Sequence, residues 1–235
     1  MPFRTATLRA ARDLTPWVRE LTLDPGPGFS FVPGQWVSLR MPREGHPDPL
    51  ARSYSIASEP REDGCFELAV TRVEGGPGSA FLHALKVGDS LTITHAQGFF
   101  TMPDPLPRPV LLVATGTGLC PLRSMLRARL AAGDPTRFTL LLGVRTEEDL
   151  LYREELQGLA RTHPNVRFEP TLSRPAGAWA GRTGYVQTHF PALVSELGLC
   201  DAYVCGLTGM IKEARRVLKE ALGFPRERIH TERYD

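Results

Sequence analysis

The chain has 235 residues, 42% hydrophobic and 23% charged, with 28 lysines and arginines against 26 acids for a formal charge of +2. That length buries a full core as one large domain or two smaller ones, and the near-neutral balance, with no basic block and no zinc-finger spacing, excludes a general drive toward nucleic acid. Nowhere do about 18 apolar residues run together as a membrane span requires, and the first residues lack the apolar segment of an export signal, so a cytoplasmic protein that does not engage membranes is expected.

Up to residue 103, apolar and polar residues alternate in short runs: Val18, Leu21 and Leu23, then residues 36–40, 65–72 and 91–94. Glycine and proline punctuate them at residues 25–28, 33–34 and 75–78. This rhythm predicts an antiparallel β-barrel, which closes its own edges and holds a ligand at its rim, interrupted by one helix from Ser79 to Leu85. Within this half, Arg52-Ser53-Tyr54-Ser55 sets a cation, a phenol and small hydroxyls at alternating positions. In a strand, Arg52 and Tyr54 project to one face and Ser53 and Ser55 to the other. The guanidinium suits a phosphate, the phenol ring suits a planar ring system and a hydroxyl reaches a ring nitrogen, which together describe a flavin nucleotide; the ordinary polar face of a half-buried strand is the competing reading of the motif taken alone. At Gly76-Pro77-Gly78-Ser79 the expected helix begins, so free amides and the Ser79 hydroxyl form an anion cradle; a plain helix cap is the competing reading for Ser79. The four cysteines, Cys65, Cys120, Cys200 and Cys205, form neither a CxxC pair nor an iron–sulfur set, so any iron–sulfur carrier is a separate protein.

A proline-rich break at residues 102–109 precedes a change of pattern. Residues 110–114 form a continuous apolar run of buried parallel-strand type. The turn Thr115-Gly116-Thr117-Gly118 follows, and then a helix through Leu130 with Pro121 presetting its first turn. Backbone amides at such a helix start approach a pyrophosphate closely, although the third glycine of the six-residue dinucleotide fingerprint is missing. Strands at 138–143, 166–172 and 202–205 then alternate with helices at 148–160, 185–197 and 209–222. This is the rhythm of an open α/β parallel sheet whose ligand crevice lies at the carboxyl ends of its strands. The expected organisation is a barrel over residues 1–103 and an α/β domain over 104–235.

In this order, the motifs resemble those of the ferredoxin–NADP reductase superfamily of flavoproteins. Gly78-Ser79-Ala80-Phe81-Leu82 is similar to its flavin-pyrophosphate segment, Tyr203-Val204-Cys205-Gly206 to its nicotinamide-side cysteine motif, and the ending at Glu232-Arg233-Tyr234-Asp235 to the plant-type terminus in which a tyrosine covers the flavin. Residues 95–100 depart from the family's Gly-Pro-x-Gly-x-Phe turn, keeping only Gly98 and Phe100.

The resemblance implies bound FAD and a nicotinamide nucleotide as co-substrate, NADPH being favoured and NADH the alternative. Arg52, Ser53, Tyr54 and Ser55 would hold the flavin, with Ser55 near its hydride-accepting nitrogen. Gly76, Gly78 and Ser79 would take its pyrophosphate, and Val70 to Arg72 would line the site with backbone groups and, at Arg72, a second cation; an ordinary exposed strand arginine is the equal alternative for Arg72. Thr115, Gly116, Thr117, Gly118 and Pro121 would receive the nicotinamide nucleotide, while Arg145, Ser173, Arg174 and Arg182 would surround its adenosine end. A Ser-Arg pair there suits the 2′-phosphate that only NADP carries. Cys205 and Gly206 would lie against the nicotinamide, with a buried small hydrophobe as the competing role for the cysteine. Glu232 and Tyr234 would complete the junction unless the terminus frays. The implied activity takes hydride from NAD(P)H onto FAD and passes electrons to a separate acceptor such as ferredoxin. A free-flavin or small-molecule reductase and a non-catalytic regulatory subunit remain alternatives in the same fold.

Overall fold

The computed structural model describes residues 3–43 and 45–234; Asp235, which the sequence sets one residue beyond the family's terminal aromatic, lies outside them. Strands β1 (Phe3–Thr15), β2 (Val18–Asp24), β3 (Trp36–Met41), β4 (Leu50–Ser55), β5 (Phe66–Thr71) and β6 (Ser90–Thr94) form a six-stranded antiparallel sheet in the order β4-β3-β6-β1-β2-β5. Period-two alternation turns Val37, Leu39 and Met41 of β3, and Phe66, Leu68 and Val70 of β5, into one interior. Ala69 faces the other way and is buried against the second half of the chain.

The end strands of this sheet meet at one place. Beyond β4, Ile56 bridges to Leu68, and Ala57 N–H donates to Glu67 O at 2.7 Å. No ladder joins residues 52–55 to 70–71, so the barrel closes at one end and gapes at the other. Helix α1 (Pro77–Ala84) lies beside this gap with Leu82 in the barrel core.

Strands β7 (Val110–Thr115), β8 (Phe138–Val144), β9 (Val166–Leu172), β10 (Arg182–Thr183), β11 (Asp201–Gly206) and β12 (Ile229–Arg233) form a parallel sheet in the order β10-β9-β8-β7-β11-β12. The strand order reverses between β7 and β11, the switch point where open α/β sheets bind ligands. Helices α2 (Leu119–Ala131) and α3 (Arg153–Thr162) contribute Leu122, Met125 and Leu156 to one core, while α4 (Phe190–Leu197) and α5 (Thr208–Arg216) contribute Phe190, Leu193 and Ile211 to the other.

Two expected helices start differently. The 148–160 helix is split into a short turn at Glu147–Asp149 and α3, because Thr146 and Asp149 close a reciprocal cap and Tyr152 takes φ 52°. The 185–197 helix opens as a 3₁₀ turn at Val186–His189, and α4 proper begins at Phe190 with Pro191 in its first turn. β1 was not foreseen, since its Arg9-Ala10-Ala11-Arg12 stretch carries no apolar alternation.

Candidate active site

A cleft of about 1670 Å³ runs between the two sheets, from the gap beside β4 and α1 to the carboxyl ends of β7, β8 and β9. On the barrel side all of Arg52, Ser53, Tyr54 and Ser55 line it. Simple alternation assigned them to two faces. β4 reaches the cleft on both because it is an edge strand bordering the open gap. Arg52 donates to Ala51 O at 2.8 Å and has no other hydrogen-bond or ion-pair partner among the described residues.

Gly76 caps α1 without a side-chain hydrogen bond, and Pro77 has no N–H, so the amides of Gly78 and Ser79 open the helix. A β-carbon on Gly78 would stand 3.1 Å from Met41 Cε and 3.5 Å from Arg52 Cγ, which explains why glycine brings this helix start against β4. The Ser79 hydroxyl does not point out as a ligand: it accepts from Val73 N–H at 3.0 Å and lies 3.0 Å from Gly76 O, bracing the loop. Arg72 lines the cleft, whereas Val70 does not. The Val70 side chain fills the barrel core, and its carbonyl is 2.9 Å from His83 Nε2.

Across the cleft, Thr115, Gly116 and Thr117 form its wall. Gly116 has φ 52°, a conformation that suits glycine. Gly118 and Pro121 lie behind the turn, and a β-carbon on Gly118 would fall 2.3 Å from Cys205 O. Arg145, Ser173 and Arg174 line the far end. Arg182 does not: on the edge strand β10 it pairs with Glu169 of the neighbouring β9 at 2.6 Å.

At the junction, the Tyr234 hydroxyl donates to Thr115 O at 2.9 Å, placing the terminal ring over the glycine turn. Ser55 Oγ lies 3.4 Å from Glu232 Oε1. β12 sets Glu232 beside Cys205 in the ladder, and burial pushes the Glu232 carboxyl up to about 7. Cys205 and Gly206 are buried at the end of β11 rather than exposed in the cleft. Burial also raises the Cys205 thiol well above its ordinary value, so it is held as the neutral thiol and not a thiolate.

Two family models match the chain: the oxidoreductase FAD-binding domain over residues 13–102 and the oxidoreductase NAD-binding domain over residues 112–216. Ferredoxin–NADP reductase B of Sorangium cellulosum is 47% identical over 242 residues, covering 100% of this chain and 98% of that protein. The chain belongs to the ferredoxin–NADP reductase family. The phenol hydroxylase P5 protein of Acinetobacter pittii is 32% identical over 97% of the reductase, which spans 65% of that protein's length. Among solved structures, an Amycolatopsis cytochrome P450 reductase superposes with a TM-score of 0.86 at 30% identity, over 99% of this chain and 70% of that one. Members of this family take hydride from a reduced nicotinamide nucleotide onto FAD and pass electrons to a separate acceptor.

The reductase has a donor set that fits both groups. Four arginines line the cleft, Arg52 and Arg72 on the barrel and Arg145 and Arg174 opposite, and among the described residues none of them pairs with a carboxylate. Elsewhere arginines are commonly paired, as Arg182 is. On the nucleotide side, the buried Thr115 Oγ1 has no hydrogen-bond partner among the described residues and would meet a β-carbon of residue 206 at 2.3 Å, so Gly206 leaves the room that this hydroxyl occupies. The sequence reading missed Trp17, Leu207 and Met210, which also line the cleft. Trp17 is largely exposed in the turn after β1, and its only sequence signal is a bulky aromatic outside any alternating run.

Proposed function

We propose that this reductase is an NADPH-preferring flavoenzyme that hands electrons to a separate carrier protein in the cytoplasm. The carrying observation is the split set of uncommitted arginines, two beside the barrel gap and two at the carboxyl ends of β8 and β9, which suits two phosphorylated ligands meeting in one cleft. Residues 1–103 are assigned to the FAD half and 104–235 to the nucleotide half, supported by the change from antiparallel to parallel sheet between β6 and β7.

When bound, FAD supplies a ring that accepts a hydride and releases the electrons singly or as a pair. Arg52, with the Gly78 and Ser79 amides, holds its pyrophosphate, and Tyr54 packs on its ring system. Ser55, braced by Glu232, presents a hydroxyl to the ring edge. Thr115, Gly116 and Thr117 hold the nicotinamide nucleotide, with the Thr115 hydroxyl free to bond it. Cys205 and Gly206 form the floor behind this turn. Tyr234 excludes water from the junction and leaves Thr115 O during turnover to admit the nicotinamide. Ser173 and Arg174 receive the 2′-phosphate.

A protein acceptor is supported by relatives named as a ferredoxin reductase and a cytochrome P450 reductase. Four free cysteines suit a reducing compartment. Among the described residues, no helix is long and apolar enough to cross a membrane. The decisive experiment is anaerobic titration of the yellow protein with NADPH and NADH, in wild type and Arg174→Ala. The variant is expected to raise KM for NADPH about tenfold or more, the value of one charge-assisted contact, and to leave KM for NADH nearly unchanged. Equal effects on both nucleotides would remove the 2′-phosphate assignment.

A further inference from the structure

Arg123 takes no part in either nucleotide site, yet among the described residues it is the one arginine that is fully buried. It sits on α2, just after the Gly116–Gly118 turn. Its Nη1 donates to Ala57 O at 2.8 Å and to Glu67 at 2.7 Å, both on the barrel, at the single point where β4 and β5 close. Its Nε and Nη2 donate to Glu155 of α3 at 2.8 and 2.6 Å, and the guanidinium lies 4.0 Å from the centre of the Tyr152 ring. Neighbouring positions of α2 grip the same barrel segment: Ser124 Oγ donates to Ser58 O at 2.6 Å and Arg127 pairs with Glu59. Stability alone does not explain a buried cation here, because apolar residues of similar volume commonly pack as well or better. What an apolar contact lacks is direction. A planar fork of donors, satisfied on both sides at once, sets two bodies at one distance and one angle.

We propose that Arg123 is a positioning residue: by joining Ala57 and Glu67 of the barrel to Glu155 and Tyr152 of the nucleotide layer, it sets the separation across which hydride crosses. Ser55 lies two residues before Ala57, and the Gly116–Gly118 turn leads directly into α2, so the clamp joins the barrel to the nucleotide layer within a few residues of each ring site. The inference rests on the functional reading above.

The test uses FAD-loaded wild type, Arg123→Lys and Glu155→Gln. Lysine keeps the charge and length but cannot fork, and glutamine keeps the shape of Glu155 while weakening the far half of the clamp. In stopped flow, the expected result is FAD content and KM for NADPH within about twofold of wild type and a rate of flavin reduction at least tenfold lower, since ångström-scale misplacement costs that much. The long-wavelength absorbance that reports ring-on-ring contact should weaken in parallel. Without NADPH present, hydrogen exchange of the oxidised protein should quicken at residues 56–59 while β3 and β8 stay protected. The inference is overturned if the reduction rate is unchanged although 56–59 exchanges faster, or if the rate falls only in proportion to lost FAD. Should Arg123→Lys not fold, Glu155→Gln decides by the same comparison. A wild type that binds no FAD, or is not bleached by NADPH, would instead defeat the functional reading before any variant is made.

Discussion

Ser55 and Glu232 lie 177 positions apart in the chain and meet at 3.4 Å, and their environment decides which state the carboxyl adopts. Burial raises its pKa to about 7 while the Ser55 hydroxyl draws it down, so near neutrality the acid is partly protonated. Because the folded value lies above the ordinary 4.5, the stability linked to this group is fully present below pH 4.5 and is lost as pH rises to about 7. Glu232→Gln should remove that dependence, so the stability of wild type relative to the variant should fall between those limits and level off above them; urea midpoints measured across the range check it. At this scale the sequence was a good guide where a side chain's chemistry is unusual for its place. Arg52, Tyr54, Ser55 and Arg174 all line the cleft. It was a poor guide where the partner is distant: the approach of Glu169 to Arg182, and of His83 to the Val70 carbonyl, depend on how the elements pack.

Among the elements, the unit β7, glycine turn and α2 was fully legible, since a continuous apolar run, a Gly-x-Gly and an amphipathic helix are all local signals. Its tightness was not. Gly118 has φ −59°, open to any residue, so its need for glycine comes from space alone, with Cys205 O 2.3 Å from the missing β-carbon. Gly118→Ala should therefore displace the start of α2 and cost about 1–3 kcal/mol of stability, as overpacking does, with a weaker NADPH affinity seen by titration. Helix starts were legible less often. The break before α3 rests on Tyr152, whose left-handed backbone is coupled to the stacking of its ring on Arg123, a contact that lies 29 positions upstream in the chain.

For the whole molecule, the two sheets share a core. Val18, Ala57, Ala69 and Phe100 of the first half pack in one cluster with Leu119, Leu122 and Met125 of the second, and the Phe100 and Tyr203 rings stand 5.8 Å apart. Unfolding is therefore expected to be a single cooperative transition. Leu119→Ala, at the centre of this contact, should cost about 2–5 kcal/mol and shift flavin release and far-UV circular dichroism together. Separate transitions for the two signals would show that the halves fold independently.

The order of local patterns in the chain determined the architecture: a barrel, a break, an alternating α/β layer, and a phosphate-approaching turn in each half. These depend on periodicity and turn chemistry within a few residues, which a sequence displays directly. Tertiary structure alone decided that β4 and β5 part beside Arg52, that Tyr234 bonds Thr115, that Glu232 loses water, and that Arg123 clamps the two halves together. Each depends on groups brought close by the packing of one sheet against the other, and the energies of burial and charge pairing that follow have no local signature.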